Sequence, residues 1–168
     1  MDLRLRNGNL LEIRPIRYDD KELLAAGFRL LSDETRQMRF LTAKPRLTKS
    51  DLRYLTEVDG RDHVALVAVE REHPTHIAAV GRFVRDPARP DTAEFAIVVG
   101  DAYQRQGLGR ALAEALAAEA KARGIHRFTA ITLSDNVGVQ KLIGAISEQL
   151  EYAHNGDGTR ALTADLAA

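Results

Sequence analysis

The stretch Val98-Val99-Gly100-Asp101-Ala102-Tyr103-Gln104-Arg105-Gln106-Gly107-Leu108-Gly109-Arg110 limits what this chain can fold into more than any other. The residues before it, Thr92 to Val99, read as a strand, and Leu108 to Arg123 after it read as a helix. A strand, a glycine-bearing loop and a helix N-terminus in succession form an anion-binding arrangement. The first helical amides have no partner within the helix, and the helix dipole adds partial positive charge there. Gly107 and Gly109 lack a Cβ, so a phosphate can come close to the backbone. Arg105 and Arg110 add full charges beside them. The loop is therefore expected to bind a phosphorylated ligand.

Two common phosphate motifs do not fit. A P-loop needs Gly, four residues, then Gly-Lys-Ser/Thr, and no such run exists. A dinucleotide fingerprint needs a third glycine three residues after Gly109, where this chain has Leu112. The pattern that does fit is Gln-x-x-Gly-x-Gly, at Gln104, Gly107 and Gly109.

A length of 168 residues suits one domain with a real core. Positive and negative residues balance at 24 each, so no overall field recruits nucleic acid or an acidic membrane. The absence of cysteine excludes disulfides and a cysteine nucleophile. The N-terminus has no apolar h-region, and no apolar run approaches membrane-spanning length. The expectation is a cytoplasmic protein.

Seven strands are expected: Leu10–Arg14, His63–Glu70, His76–Val84, Thr92–Val99, His126–Ile131, Ile146–His154 and Thr159–Leu166. Asp19 and Asp20 offer N-cap and first-turn charge for a helix to about Leu31. Helical segments at Asp33–Leu41 and about Asp51–Val58 follow, the last capped by Thr48 or Ser50. Asp86 to Asp91 reads as a turn-rich link. Short links among the strands from His63 to Val99 imply an antiparallel meander. Leu108, Ala111, Leu112, Ala115 and Leu116 form one apolar helical stripe that Gly124 ends, before a parallel crossover to the next strand. Ser134-Asp135-Asn136 caps a helix to about Ile143. Asn155-Gly156-Asp157-Gly158 joins the last two strands as a hairpin.

This order, β-α-α-β-β-β-α-β-α-β-β, together with the Gln104/Gly107/Gly109 loop, resembles the GNAT (Gcn5-related) N-acetyltransferase family. The resemblance covers nearly the whole chain. It implies an α/β (α+β) GNAT fold, with a mixed, mostly antiparallel sheet of about seven strands flanked by helices. Ile13 to Asp20, Leu31-Ser32 to Phe40, Lys44-Pro45 and Ala93-Glu94-Phe95-Ala96 look like the catalytic domain of bacterial Pat-type protein lysine acetyltransferases. The implied organisation is a free-standing catalytic domain over residues 1–168.

The resemblance implies acetyl-CoA as acyl donor, with no metal. Its pyrophosphate would lie on Gln104, Arg105, Gln106, Gly107, Leu108, Gly109 and Arg110. Its amide chain would run along Ile97, Val98 and Val99 like an added strand, with a contact from Asn136. Glu94 matches the catalytic glutamate of the Pat-like pattern. The acceptor amine, with pKa about 10, must lose a proton, and a carboxylate in a partly apolar cleft can take it directly or through water. A backbone N–H near Ile97 or Val98 would stabilise the oxyanion. Many relatives carry a tyrosine seven residues beyond the asparagine; here that position is Ile143. Either no protein acid is used, which is the favoured reading, or Tyr103 or Tyr152 substitutes.

Plainer readings stand beside these. Glu94 also fits the exposed side of an edge strand, and Asn136 also fits a helix cap. His73 and His76 make a His-x-x-His with no third ligand in view. Arg36, Arg39, Lys44 and Arg46 read as a solvated basic face, with guidance of an acidic acceptor as the alternative. No Gly-x-Ser-x-Gly elbow supports an acyl-enzyme, so direct transfer is expected. The favoured acceptor is a protein lysine, with a small-molecule amine next. A non-catalytic acyl-CoA sensor is the alternative from another class, and a nucleotide-phosphate binder a third. Many relatives dimerise through their C-terminal strands, so a homodimer is an expectation.

Overall fold

In the computed structural model, which describes residues 1–168, the chain runs β1 (Asp2–Arg4), β2 (Leu10–Pro15), α1 (Lys21–Arg29), α2 (Asp33–Phe40), α3 (Lys49–Thr56), β3 (His63–Glu70), β4 (Ile77–Asp86), β5 (Arg89–Val99), α4 (Leu108–Lys121), β6 (Arg127–Leu133), α5 (Val137–Ile146), β7 (Ser147–His154) and β8 (Thr159–Leu166). Short 3-10 turns at Tyr18–Asp20 and Asp101–Tyr103 precede α1 and the loop before α4. The strands form one sheet in the order β1-β2-β3-β4-β5-β6-β8-β7. Every neighbouring pair is antiparallel except β5 and β6, which are parallel and joined through α4. This is a mixed α/β architecture with a mostly antiparallel sheet. No helix is long and apolar enough to cross a membrane.

The sheet has eight strands rather than about seven. The added one is β1, which pairs with β2 across Asn7-Gly8-Asn9. Leu3 and Leu5 alternate with charged residues there, but a three-residue strand is too short for periodicity to announce it. The expected link at Asp86–Asp91 also shrinks. β4 continues to Asp86 and β5 begins at Arg89, leaving Pro87-Ala88 as the turn. Asp86 Oδ1 accepts the Ala88 N–H at 2.9 Å and braces it.

Period-two alternation on β4 and β5 sorts side chains to two faces. Phe83 lies opposite Phe95 and turns toward the larger core, where Leu108, Leu112 and Leu116 of α4 are fully buried. Removing a side chain such as Leu112 from that core costs about 2–5 kcal/mol. The other face carries Val80, which packs with Ile16, Leu24 and Leu55 beneath α1 and α3. Arg82, Val84, Glu94 and Ala96 share that second face, with Arg82 opposite Ala96 and Val84 opposite Glu94. The charged residues of the site thus come from an alternation whose other half is core.

The start of α1 differs from expectation. Asp20 is not a side-chain cap for α1. It turns inward, 3% exposed, and takes two hydrogen bonds from Arg14 at 2.7 and 2.8 Å. The Arg17 N–H donates to it as well, at 2.8 Å. Burial pushes the Asp20 carboxyl up, but the Arg14 and Arg17 hydrogen bonds outweigh it and hold the group below its ordinary range. The Ile13–Asp20 segment therefore places α1 through a buried ion pair.

Candidate active site

The parallel strands β5 and β6 meet only at Thr92–Arg127, Ala93–Phe128 and Glu94–Thr129. Beyond Glu94 they part. From Phe95 to Val99, β5 pairs with β4 alone, and its edge toward β6 is bare. Apart from the Val99 carbonyl, which Gln104 takes, backbone donors and acceptors along such an edge are satisfied by water or an added chain. Ile97, Val98 and Val99 lie on this open edge, at the wall of a cleft of about 580 Å³. Gln104, Arg105, Gly107, Gly109, Arg110 and Asn136 line the same cleft.

The loop that closes one end of the cleft is rich in free donors. Each backbone N–H from Arg105 to Arg110 lacks a partner within the protein, and the first helical bond of α4 runs from Ala111 N to Gly107 O at 3.1 Å. Arg105 and Gly107 both have positive φ, +60° and +87°, and so fold the chain into a concave turn of amides. Gly107 serves this backbone shape, since a Cβ there would meet open space. Gly109 serves packing, because a Cβ would come within 3.1 Å of Leu142 and 3.3 Å of Val99. Leu108 is fully buried in the core and does not line the cleft. Gln104 Nε2 donates to the Val99 carbonyl at 3.0 Å and ties the loop to the end of β5. Gln106 Nε2 donates to Ala102 O at 3.0 Å, also a bond within the loop. Arg110 pairs with Glu114 at 2.8 Å on an exposed face, and Arg105 is exposed.

Asn136 is the N-cap of α5: its Oδ1 accepts the Val139 N–H at 3.3 Å, and its Nδ2 makes no hydrogen bond within the protein. Capping and a cleft contact are therefore compatible. Sequence patterning does not reveal Asp101. It accepts hydrogen bonds from Ser32 N and Ser32 Oγ, both at 2.9 Å, and from Thr35 Oγ1 at 2.7 Å. These bonds join the N-terminus of α2 to the turn that starts the loop.

Glu94 is exposed and lines a neighbouring cavity of about 290 Å³, with Ala96, Tyr54 and Arg82. Arg39 lines both this cavity and the cleft, so the two adjoin at its side chain. The expected solvated face of Arg36, Arg39, Lys44 and Arg46 does not hold together as one. Arg36 donates to the carbonyls of Phe28, Arg29 and Pro45 and stacks 4.6 Å from the Phe28 ring. Lys44 pairs with Asp51 at 3.0 Å. Arg39 turns inward over the Phe40 ring, 4.7 Å from its centroid. Only Arg46 stays fully in solvent. A short helix with charges on every side gives no period that separates these roles.

While Arg39 is half-buried, Arg82 is buried, 5% exposed. Its Nη1 donates to Leu55 O at 3.1 Å and lies 3.0 Å from His63 Nε2. Burial first, and then the charge of Arg39, lowers the Arg82 guanidinium to about 9, so it remains charged at neutral pH. Burial also lowers Arg39, partly offset by Glu94. His63 is pushed down to about 4, by burial and then by Arg82, and is neutral near pH 7. At the start of β3 it serves as a neutral contact for Arg82.

The alternative acids are placed elsewhere. Ile143 is in the core. The Tyr103 hydroxyl lies 2.9 Å from His76 Nε2 and 3.4 Å from Glu70, and burial followed by Glu70 raises its pKa. Tyr152 is an exposed residue of β7. Neither lines the cleft or the Glu94 cavity. His73 and His76 belong to no cluster of three or more His, Asp or Glu side chains that could hold a metal ion.

The acetyltransferase (GNAT) family matches this chain over residues 26–144. Acetyltransferase Pat from Mycolicibacterium smegmatis is 36% identical over 141 residues, 84% of this chain and 42% of that protein. The GNAT domain of S. lividans PAT superposes with a TM-score of 0.86 at 34% identity, covering 99% of this chain and 96% of that one. The Salmonella typhimurium protein yncA, solved with its cofactor acetyl-CoA, shares the fold at a TM-score of 0.69 and 18% identity, over 93% of this chain and 92% of that one. The chain belongs to the acetyltransferase (GNAT) family and is similar to Pat. It spans less than half the length of the curated relative it matches.

Proposed function

We propose that residues 1–168 act as one catalytic domain that takes acetyl-CoA and transfers its acetyl group directly to a primary amine, with a protein lysine the favoured acceptor. The observation that carries this reading is the bare β5 edge leading into the unpaired amides of Arg105 to Arg110. An extended amide-bearing chain can pair with the edge, and a pyrophosphate can sit on the amides at the head of α4. Arg105 adds charge, and Asn136 Nδ2 can reach the donor's amide chain. Acetyl-CoA use is common to the family, and yncA was solved with acetyl-CoA; the lysine acceptor rests on the likeness to Pat.

The chemistry then needs few groups. Glu94 accepts a proton from the acceptor ammonium, directly or through water. The free amine attacks the thioester carbonyl, a C–N bond forms, and a β5 amide near Ile97 or Val98 steadies the oxyanion. Collapse breaks the C–S bond, the nitrogen gives its second proton to solvent as the amide forms, and coenzyme A leaves as a thiolate that takes a proton from solvent. With Ile143 buried where relatives carry tyrosine, no side-chain acid is assigned.

The test is calorimetric titration with acetyl-CoA, followed by acetylation of lysine-bearing proteins by wild type and Glu94→Gln. Binding with Glu94-dependent transfer supports the enzyme. Binding with transfer to no amine favours an acyl-CoA sensor, and absence of binding overturns the assignment of the loop.

A further inference from the structure

The cavity beside Glu94 carries more positive charge than the protein neutralises. Its ionisable lining is Arg39, Lys44, Asp51, Tyr54, Arg82 and Glu94. Asp51 is committed to Lys44 at 3.0 Å and to the N-terminus of α3, where it accepts the Thr48 N–H. Glu94 forms no ion pair within 4 Å, with Arg39, Arg82 or any other cation. Two inward-facing guanidinium groups therefore stand near one another without a bound carboxylate. Arg82 is buried and Arg39 half-buried, and cations so placed gain from an anionic partner.

Hydrogen bonding gives the site a shape. Arg82 uses Nη1 for Leu55 O and His63, and its Nε and Nη2 make no hydrogen bond within the protein. Those two nitrogens are the side-on fork of the guanidinium, the geometry that takes both oxygens of a carboxylate. Arg39 is held by stacking on Phe40 alone and keeps all its donors free. A cationic amine entering this cavity would meet both arginines, which repel it unless it brings an anion.

We infer that the acceptor carries a carboxylate close to its reacting amine, and that Arg82 and Arg39 hold this carboxylate while the amine faces Glu94. This deepens the acetyltransferase reading above and rests on it. A carboxylate of this kind belongs either to a free amino acid or to an acidic residue beside a protein lysine.

Two matched pairs of acceptors separate these sources. L-lysine and L-lysinamide differ by one carboxylate, as do peptides with a central lysine flanked by glutamates or by glutamines. Each is titrated calorimetrically into the protein, with and without saturating coenzyme A, and each is assayed for acetyl transfer. The expected result is at least about tenfold tighter binding and higher kcat/KM for the carboxylate member of one pair. Preference within the first pair assigns a free amino acid, and within the second an acidic protein segment. Arg82→Met and Arg39→Met should each bring the pair members close to equality. Arg39 makes no hydrogen bond in the fold, so its variant stays informative if Arg82→Met fails to fold. Equal affinity within both pairs, or a preference that survives Arg39→Met, overturns the inference. Failure of acetyl-CoA to bind instead strikes the assigned donor site, while carboxylate binding is still read without coenzyme A.

Discussion

Thr35 Oγ1 donates to Asp101 Oδ1 at 2.7 Å, across 66 residues of chain. Through this bond and those from Ser32, α2 and the loop before α4 share a joint, and α2 also carries Arg39 to the cavity beside Glu94. Asp101→Ala removes the acceptor for three hydrogen bonds and should lower stability by about 1–3 kcal/mol. It should also raise KM for acetyl-CoA and for the amine together. Urea unfolding and initial-rate kinetics check this; an effect on stability with both KM values unchanged would deny the joint a role in the site.

Asp20 and Arg14 set the acid limit of the fold. The Asp20 carboxyl is held below its ordinary range in the folded state, so its contribution is fully present above the unfolded pKa of about 4 and is lost as pH falls through the folded pKa. Asp101 acts in the same direction, since the bonds from Ser32 and Thr35 outweigh its burial. Asp20→Ala strands the Arg14 guanidinium and should cost about 3–5 kcal/mol at neutral pH. Thermal unfolding between pH 6 and pH 2 should show a steep acid loss in wild type and a shallower one in this variant.

Glu94→Gln keeps the side chain's shape and removes the proton acceptor. Turnover should fall about 10²–10⁴-fold, with acetyl-CoA affinity held within twofold. Calorimetry beside a transfer assay reads the two separately. Equal loss of binding and turnover would mean that Glu94 shapes the cleft rather than accepts a proton.

Gly107 and Gly109 should respond differently to the same methyl group. Gly107→Ala must keep a φ of +87° with a Cβ, a strain of about 1 kcal/mol, while no atom blocks it. Gly109→Ala pushes on Leu142 and Val99 and should cost about 1–3 kcal/mol by overpacking. Unfolding midpoints should therefore drop more for Gly109→Ala, and acetyl-CoA affinity should fall in both. The reverse order of stability would contradict the packing role given to Gly109.

The parts of the site made by neighbours in sequence could be read before any coordinates. A strand running into Gln104, Gly107 and Gly109 and then into an amphipathic helix is local, and periodicity with glycine placement is enough to find it. The antiparallel meander and the final hairpin followed because the links are short and Asn155–Gly158 is a clear turn; that β8 rather than β7 lies against β6 was not legible. What stayed hidden depends on distant partners. Asp101 looks like any loop aspartate until Ser32 and Thr35 arrive from 66–69 residues away. Arg82 sits in a strand next to Phe83 and gives no sign that it will be buried without a carboxylate. Asp20 has the composition of a cap, but Arg14 competes for it and wins with two charge-assisted bonds.

The sheet divides where β5 leaves β6: five strands lie on one side, three on the other, and three residue pairs join them. A molecule laid along the bare edge of β5 would splint these halves, adding backbone bonds where the protein makes none of its own. Under mass action, occupancy at a hundred times Kd would hold the folded state by about a further 2.7 kcal/mol. The domain's resistance to unfolding and proteolysis would then rise and fall with the supply of its own acyl donor.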